Sequence, residues 1–64
     1  MKLTATNIYD LRTALKLTQA QFGERVGVSW MTILRWENGK SAPASEAHKR
    51  ALQEIADEAG WPKD

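Results

Sequence analysis

The stretch that most constrains the fold is residues 19–39, QAQFGERVGVSWMTILRWENG, in which two helical patterns meet at a glycine. Thr18, followed three residues later by Gln21, has the pattern of a capping box, which predicts that a helix begins here. Gly27 ends this helix, because glycine adopts left-handed backbone angles without a steric penalty at Cβ. The segment therefore predicts a helix over about 18–26 that stops at a tight turn.

A second helix follows the turn directly. Ser29 is a favoured N-cap residue, and Asn38 and Gly39 form a typical helix end, so a helix is predicted over 29–38. Ile33 and Trp36 share one face of it, which we expect to lie in the core. Two helices joined by a short turn that contains glycine are typical of a helix-turn-helix.

Two further helices are expected, one on each side of this pair. The first is predicted over 7–16, with Thr6 or Asn7 as its N-cap, and residues 1–5 are expected to be frayed. Its apolar residues recur at helical spacing and are expected to face the core: Ile8, Leu11 and Leu15. Since no segment alternates with a period of two residues, the predicted fold is all-α with four helices, at about 7–16, 18–26, 29–38 and 45–59.

The last of these helices is predicted to begin at the cap residue Ser45 and to end at Gly60, with Pro62 opposing any continuation. Its expected core face consists of small and apolar side chains: Ala47, Ala51 and Ile55, flanked by Leu52 and Ala56. His48 is expected to be exposed, because no second histidine or cysteine is present to share a metal ion.

Length and composition narrow the class of protein. Sixty-four residues are enough for a single domain over 1–64 with a small core, and dimerisation would help to stabilise it. The absence of cysteine excludes disulfides, and no apolar run is long enough to cross a membrane. Residues 1–3 are not followed by the core of a signal peptide, so a cytoplasmic location is expected.

The net charge of +1 is small, but the charges are unevenly distributed. Residues 1–40 contain six Lys and Arg against three Asp and Glu, whereas residues 41–64 contain three against five. The basic excess thus accompanies the paired helices, which is the distribution expected of a nucleic-acid-binding surface.

The segment LTQAQFGERVGVS…TILRWENGKSAP resembles the phage repressor and Cro type of helix-turn-helix, the large XRE-like family. The resemblance extends over residues 11–43 and rests on these marks: Leu17-Thr18-Gln19, Gly27-Val28-Ser29, Ile33 and Trp36-Glu37-Asn38-Gly39-Lys40. One residue departs from the family pattern, since Gly23 occupies the fifth position of the motif, where alanine is usual. A small residue at this position is expected to allow close approach of the second helix of the motif.

The resemblance implies that the second helix of the motif enters the major groove of DNA and contacts bases. The candidate base-contacting residues are Trp30, Met31 and Arg35. Arg35 can form a bidentate bond with guanine, whereas Trp30 and Met31 offer apolar contact, for example to a thymine methyl group. The alternative for Trp30 is packing over a neighbouring loop. Leu34 is unusual at a position that is more often polar in the family, so it is either simply exposed or in contact with a partner.

Contacts to the DNA backbone are expected at both ends of the motif. The candidates are Thr18, Gln19, Ser29, Thr32, Asn38 and Lys40. In the family, the position of Gln19 contacts one phosphate, and those of Asn38 and Lys40 form a second phosphate clamp. Gln19 and Asn38 also suit helix capping, and the two roles are compatible. Such contacts position a protein on DNA without specifying sequence.

Three further roles are structural. The resemblance implies a partly buried ion pair between Arg12 and Glu37, in which Arg12 stabilises the fold and does not bind DNA. Trp36 is expected in the core. Trp61 is expected either to fold back on Ile55 or Ala56 at the helix end or to take part in a dimer contact.

The functional expectation is therefore sequence-specific binding of double-stranded DNA by a transcriptional repressor that forms a homodimer at least on DNA. No set of nucleophile, base and orienting group is present, so no enzymatic activity, metal site or cofactor is expected. The alternative is an antitoxin-like interaction module whose main partner is a toxin protein. No membrane partner is expected.

Overall fold

The computed structural model describes residues 4–61, and the predictions made for Met1, Lys2, Leu3 and Pro62 lie outside this range. Four helices form the described chain: α1 (Ala5–Ala14), α2 (Gln19–Val26), α3 (Trp30–Glu37) and α4 (Glu46–Ala59). No strand occurs within residues 4–61. The predicted all-α fold with four helices is confirmed.

Helix α1 begins earlier than predicted. Thr4 is its N-cap, and the Thr4 side chain accepts a hydrogen bond from the backbone N–H of Asn7 at 3.1 Å. Thr6 and Asn7 lie inside the first turn, so their prediction as caps was wrong. Several residues with capping side chains follow one another here, and the favourable helix propensity of Ala5 allows the helix to start at the first of them.

Helix α1 also ends earlier than predicted, at Ala14 instead of Lys16. Lys16 adopts a left-handed backbone conformation with φ of 58°. The backbone N–H of Leu17 then donates to the carbonyl of Arg12 at 3.2 Å, which closes the helix end. A side chain at such a position is destabilised by contact between its Cβ and the backbone, and glycine is the residue that avoids this cost.

Replacing Lys16 with glycine should therefore raise the free energy of unfolding by about 0.5–1 kcal/mol, because relief of the left-handed strain exceeds the entropy that glycine adds to the unfolded chain. Lys16→Ala removes the same charge but keeps Cβ, so it serves as the matched control and should give no such gain. Urea unfolding of the two variants measures the difference. Equal stabilities of the glycine and alanine variants would contradict the assignment of strain.

The predicted capping box opens α2. The Thr18 side chain accepts from the N–H of Gln21 at 3.1 Å, and the Gln21 side chain accepts from the N–H of Thr18 at 2.9 Å. The predicted stop at Gly27 is also confirmed, with φ of 98°. These two features fix where α2 begins and ends.

Gly23 lies against the turn that joins α2 to α3. A Cβ atom added to it would stand 2.5 Å from the carbonyl oxygen of Val28 and 3.2 Å from the carbonyl carbon of Ser29. A close approach at Gly23 exists, but the prediction that helix α3 makes it was wrong, because the neighbour is the backbone of the turn. The N–H of Val28 donates to the Gly23 carbonyl at 2.8 Å, which draws the turn onto α2.

Apolar side chains from all four helices form one core. It consists of Ile8, Leu11, Phe22, Val26, Ile33, Trp36, Leu52, Ile55 and Ala56. The predicted burial of Ile33 and Trp36 on one face of α3 is confirmed, as is the stripe on α1, where Leu15 packs partly buried against the core.

The core face of α4 is rotated from the predicted one. Ala47 is exposed and Ala51 is half-buried, whereas Leu52, Ile55 and Ala56 are buried. His48 is half-buried, and its ring lies 5.8 Å from that of Trp36 between ring centroids. The predictions of a buried Ala47 and an exposed His48 were therefore wrong. A face centred on Leu52, which is fully buried, removes more apolar surface from water than a face centred on alanine would, and this accounts for the rotation.

Candidate DNA-binding surface

The position of α3 is fixed at its start by a cap and along its length by burial. Ser29 is the N-cap, and its hydroxyl oxygen accepts from the N–H of Thr32 at 3.4 Å. Ile33 is 0% exposed and Trp36 is 4% exposed, so one side of the helix is fixed in the core. The opposite side is consequently held in a fixed orientation towards solvent.

This outward side carries the residues predicted to contact bases. Trp30 is 50% exposed and Met31 is 47% exposed, and Arg35 is exposed as well. Arg35 and Met31 share a helical face, as predicted, and Nη2 of Arg35 lies 3.9 Å from Sδ of Met31. Leu34 is half-buried at the edge of this side. Trp30 and Met31 are neighbouring large apolar side chains half exposed to water, a kind of surface that a partner can cover.

Arg35 has no carboxylate within ion-pair distance among residues 4–61. The ion pairs in that range join Arg12 to Glu37, Arg25 to Glu58 and Lys49 to Glu46. Apart from the donor directed at the Met31 sulfur, the guanidinium N–H groups have no protein acceptor in the described chain. Arg35 is thus available to an acceptor outside the protein.

A second group of polar residues connects three helices. Arg12 donates to Glu37 through Nε at 2.6 Å and Nη2 at 3.1 Å, and its Nη1 donates to the carbonyl of Leu17 at 2.9 Å. Gln19 adds a bond from its side-chain amide to Glu37 at 3.2 Å. The side chains of Arg12 and Glu37 are only 14% and 5% exposed. The predicted ion pair is confirmed, and it joins α1, the start of α2 and the end of α3.

Two contacts made by this group were not predicted. The bond of Gln19 to Glu37 crosses between helices, so no local pattern in the sequence indicates it. The Arg12 guanidinium also lies 5.4 Å from the ring centroid of Tyr9, a cation–π contact. The spacing of Tyr9 and Arg12 by three residues on one helix would have indicated that contact.

The candidates for DNA backbone contact lie at the ends of the two motif helices. Thr18 and Ser29 are the exposed N-caps of α2 and α3, and Asn38 is the exposed C-cap of α3. Lys40 is exposed just beyond it, and its backbone N–H donates to the carbonyl of Arg35 at 3.0 Å.

The other two backbone candidates, Gln19 and Thr32, are half-buried. The predicted capping role is confirmed for Asn38, which is the C-cap of α3. Gln19 does not cap α2, because Thr18 is the N-cap of that helix and the Gln19 side chain bonds to Glu37.

The end of α4 shows how Trp61 is held. Gly60 has φ of 65°, and the N–H of Trp61 donates to the carbonyl of Ala56 at 2.9 Å. Trp61 packs partly buried against the core, which agrees with the expected hydrophobic contact of a helix end.

Other kinds of site receive no support from the described chain. Within residues 4–61, His, Asp and Glu side chains form no group of three or more that could hold a metal ion, and no pocket is found. None of the four described helices has the length and apolar character to cross a membrane.

The four helices, with α2 and α3 joined through the glycine turn, define a helix-turn-helix protein. A family model described as helix-turn-helix matches residues 8–57, which is more than half of the chain. The protein therefore belongs to the XRE-like helix-turn-helix family, a family of DNA-binding regulatory proteins, and the resemblance found in the sequence is confirmed. Searches among curated proteins and solved structures gave no match.

Proposed function

We propose that the protein is a sequence-specific transcriptional repressor that binds double-stranded DNA as a homodimer on an operator of approximate two-fold symmetry. The observation that carries the proposal is the outward side of α3, where Arg35 has no ion-pair partner in the described chain and contacts the half-exposed Met31, while the half-exposed Trp30 lies at the start of the same helix. An arginine available on a rigid recognition helix suits a bidentate bond to guanine.

In this proposal the two groups of contacts have different tasks. Arg35, Met31 and Trp30 contact base edges and provide sequence preference, and the cap residues of α2 and α3 position the protein on phosphates together with Lys40. The Arg12–Glu37 pair has a structural role, because it is enclosed by Gln19 and Leu17. It keeps the recognition helix in one orientation relative to α1 and α2.

The size of the protein favours a dimer. A single module of this kind buries roughly 600–1,000 Å² of surface on DNA, which limits the affinity of one copy. The longest dimension of the fold is 28 Å. Two copies therefore fit side by side on half-sites about 34–36 Å apart, one helical turn of DNA. A dimer in that position would block access of RNA polymerase to an overlapping promoter.

Salt dependence and two substitutions test the proposal. DNA affinity is measured by fluorescence anisotropy between about 50 and 200 mM salt. A plot of the logarithm of the binding constant against the logarithm of the salt concentration should have a slope near −0.9 for each phosphate neutralised. Lys40→Ala should weaken binding to all duplexes alike and flatten the slope by about 1 per protomer, because it removes a phosphate contact. Arg35→Ala should instead relax preference at one base pair, by about 1–3 kcal/mol.

Arg50→Ala provides the matched control, since it removes the same charge from an exposed position on α4. It should leave the sequence preference intact and change the slope less than Lys40→Ala does. If Arg35→Ala kept both the affinity and the preference of the unaltered protein, the assignment of the recognition face would be wrong.

An antitoxin-like module that binds a toxin protein is the second candidate, favoured by the exposure of Trp30 and Met31. Leu34 and Trp61, the other apolar residues considered for such an interface, are half-buried and offer less surface. A hydrophobic protein interface depends little on salt. DNA affinity that is weak and insensitive to salt, with no sequence preference, would therefore favour this candidate over the repressor.

A further inference from the structure

Met31 places a thioether sulfur at the surface of α3. The residue is 47% exposed, and it is the one sulfur-containing residue among residues 4–61, since the chain has no cysteine and its other methionine is Met1. Peroxides oxidise an accessible thioether to a sulfoxide, a reaction that dedicated reductases reverse. Met31 is therefore the position in the described chain at which a mild oxidant is expected to act.

The neighbour of that sulfur is the guanidinium group of Arg35. Nη2 of Arg35 lies 3.9 Å from Sδ of Met31, and a thioether sulfur is only a weak acceptor. None of the ion pairs among residues 4–61 includes Arg35. The guanidinium is thus held weakly, and a stronger acceptor at the sulfur would hold it in place.

We propose that Met31 is a reversible oxidation site that controls DNA binding, because its sulfoxide captures Arg35. The co-reactant is a hydroperoxide, such as hydrogen peroxide. A lone pair of the sulfur forms the S–O bond while the O–O bond of the peroxide breaks, and the other oxygen leaves as water with the proton of the transferred oxygen. The electron pair passes from sulfur to the peroxide, so sulfur is oxidised and the peroxide is reduced. The inference rests on the proposed function and adds a means of regulating it.

Oxidation changes both side chains of the contact. The sulfoxide oxygen is a strong acceptor, and a hydrogen bond from a cationic donor is roughly twice as strong as one between neutral groups. The exposed end of Met31 can turn this oxygen towards Nη2 of Arg35, which is already adjacent. Arg35 must then break that bond before it binds an acceptor on DNA. Met31 itself becomes polar and loses its capacity for apolar contact.

The fold is expected to survive this reaction. Ile33 and Trp36 fix α3 from its buried side, where they are 0% and 4% exposed, whereas Met31 projects from the outward side. The added oxygen therefore enters solvent and requires no repacking of the core. A fall in DNA affinity without a loss of helix distinguishes this reaction from oxidative damage to a buried methionine.

The test compares the full chain before and after treatment with hydrogen peroxide. Mass spectrometry of proteolytic peptides locates the added oxygen, and circular dichroism monitors the helices. Affinity is measured by fluorescence anisotropy on a duplex that the untreated protein selects from a random library. It should fall by more than about tenfold per half-site, the effect of breaking one hydrogen bond to a charged group. A methionine sulfoxide reductase with a dithiol should restore it, as the dithiol becomes a disulfide and the oxygen leaves as water.

Two variants are treated in the same way, and each is compared with its own untreated form. Met31→Leu keeps Met1 but has no sulfur on α3, so peroxide should not change its affinity. Arg35→Ala keeps the thioether but lacks the guanidinium. Oxidation should lower its remaining affinity by less than about fourfold, the effect of lost apolar contact alone.

Failure of this inference is distinguishable from failure of the proposed function. If the untreated protein binds the selected duplex with the expected salt dependence and the oxidised protein binds it equally well, the inference is wrong and the repressor proposal stands. An equal loss of affinity in the unaltered protein and in Arg35→Ala would refute the capture of Arg35. A loss that also occurs in Met31→Leu, or that accompanies a loss of helix signal, would refute the inference as well. If the untreated protein selects no duplex at any salt concentration, both proposals fail.

Discussion

Replacing Arg12 with leucine should unfold most of the protein at 25 °C, with a loss of about 3–5 kcal/mol in the free energy of unfolding. The substitution leaves the carboxylate of Glu37, which is 5% exposed, without its cationic partner. Only the amide of Gln19 remains as a donor to it. At about 0.05–0.15 kcal/mol per residue, a chain of this length has a total stability of the same order as that loss.

Circular dichroism at 222 nm and urea titration measure this result, and two variants control it. Arg12→Leu combined with Glu37→Leu removes both charges and should recover most of the helix signal, because no buried charge is then left alone. The ion pair between Arg25 and Glu58 has side chains that are 44% and 70% exposed. Arg25→Leu should therefore cost less than about 1 kcal/mol, as exposed pairs do.

The double variant also tests the role assigned to Arg12. If Arg12 acts only on the fold, the refolded double variant should bind DNA with nearly unchanged salt dependence. A loss of less than about 1 kcal/mol in Arg12→Leu would show that the pair behaves as a surface interaction. A folded double variant with a flatter salt slope would show that Arg12 contacts phosphate.

The features predicted correctly from sequence are those set by local chemistry. The capping box of Thr18 and Gln21 and the left-handed Gly27 each depend on a few adjacent residues and the backbone they favour. The Arg12–Glu37 pair is a long-range contact, and it was predictable only because the family resemblance implied it. The structure supplies its geometry and its burial.

The features that were mispredicted depend on choices among similar local signals or on tertiary contacts. The start of α1 was ambiguous because Thr4, Thr6 and Asn7 can all cap a helix. The buried face of α4 brings His48 against Trp36, a contact between different helices that no local pattern indicates. Ala47, Ala51 and Ala56 are equally small, so their spacing did not indicate whether the buried face centres on Ala51 or on Leu52.

Gly23 is the position at which helix propensity and packing predict opposite results. Alanine is more favourable than glycine inside a helix by about 0.5–1 kcal/mol, so propensity alone predicts that Gly23→Ala stabilises the protein. Packing predicts the reverse, because the new Cβ would lie 2.5 Å from the carbonyl oxygen of Val28. That oxygen belongs to the backbone of the turn, so it cannot move without displacing Ser29 and the start of α3.

We therefore expect Gly23→Ala to lower the free energy of unfolding by about 1–3 kcal/mol, and Gly23→Val to lower it by more than about 3 kcal/mol. Glu24→Ala and Glu24→Val introduce the same side chains at the exposed neighbouring position and should change stability by less than about 1 kcal/mol. Urea unfolding of the four variants measures these differences.

The Gly23→Ala protein that remains folded also tests whether the turn contributes to DNA binding. Because Ser29 caps α3, a displaced turn should move Trp30 and Met31 relative to α2. Affinity for a preferred duplex should then fall further than the unfolded fraction explains. A Gly23→Ala variant more stable than the unaltered protein, with equal affinity, would show that the turn adjusts freely and that α3 is positioned by the burial of Ile33 and Trp36 alone.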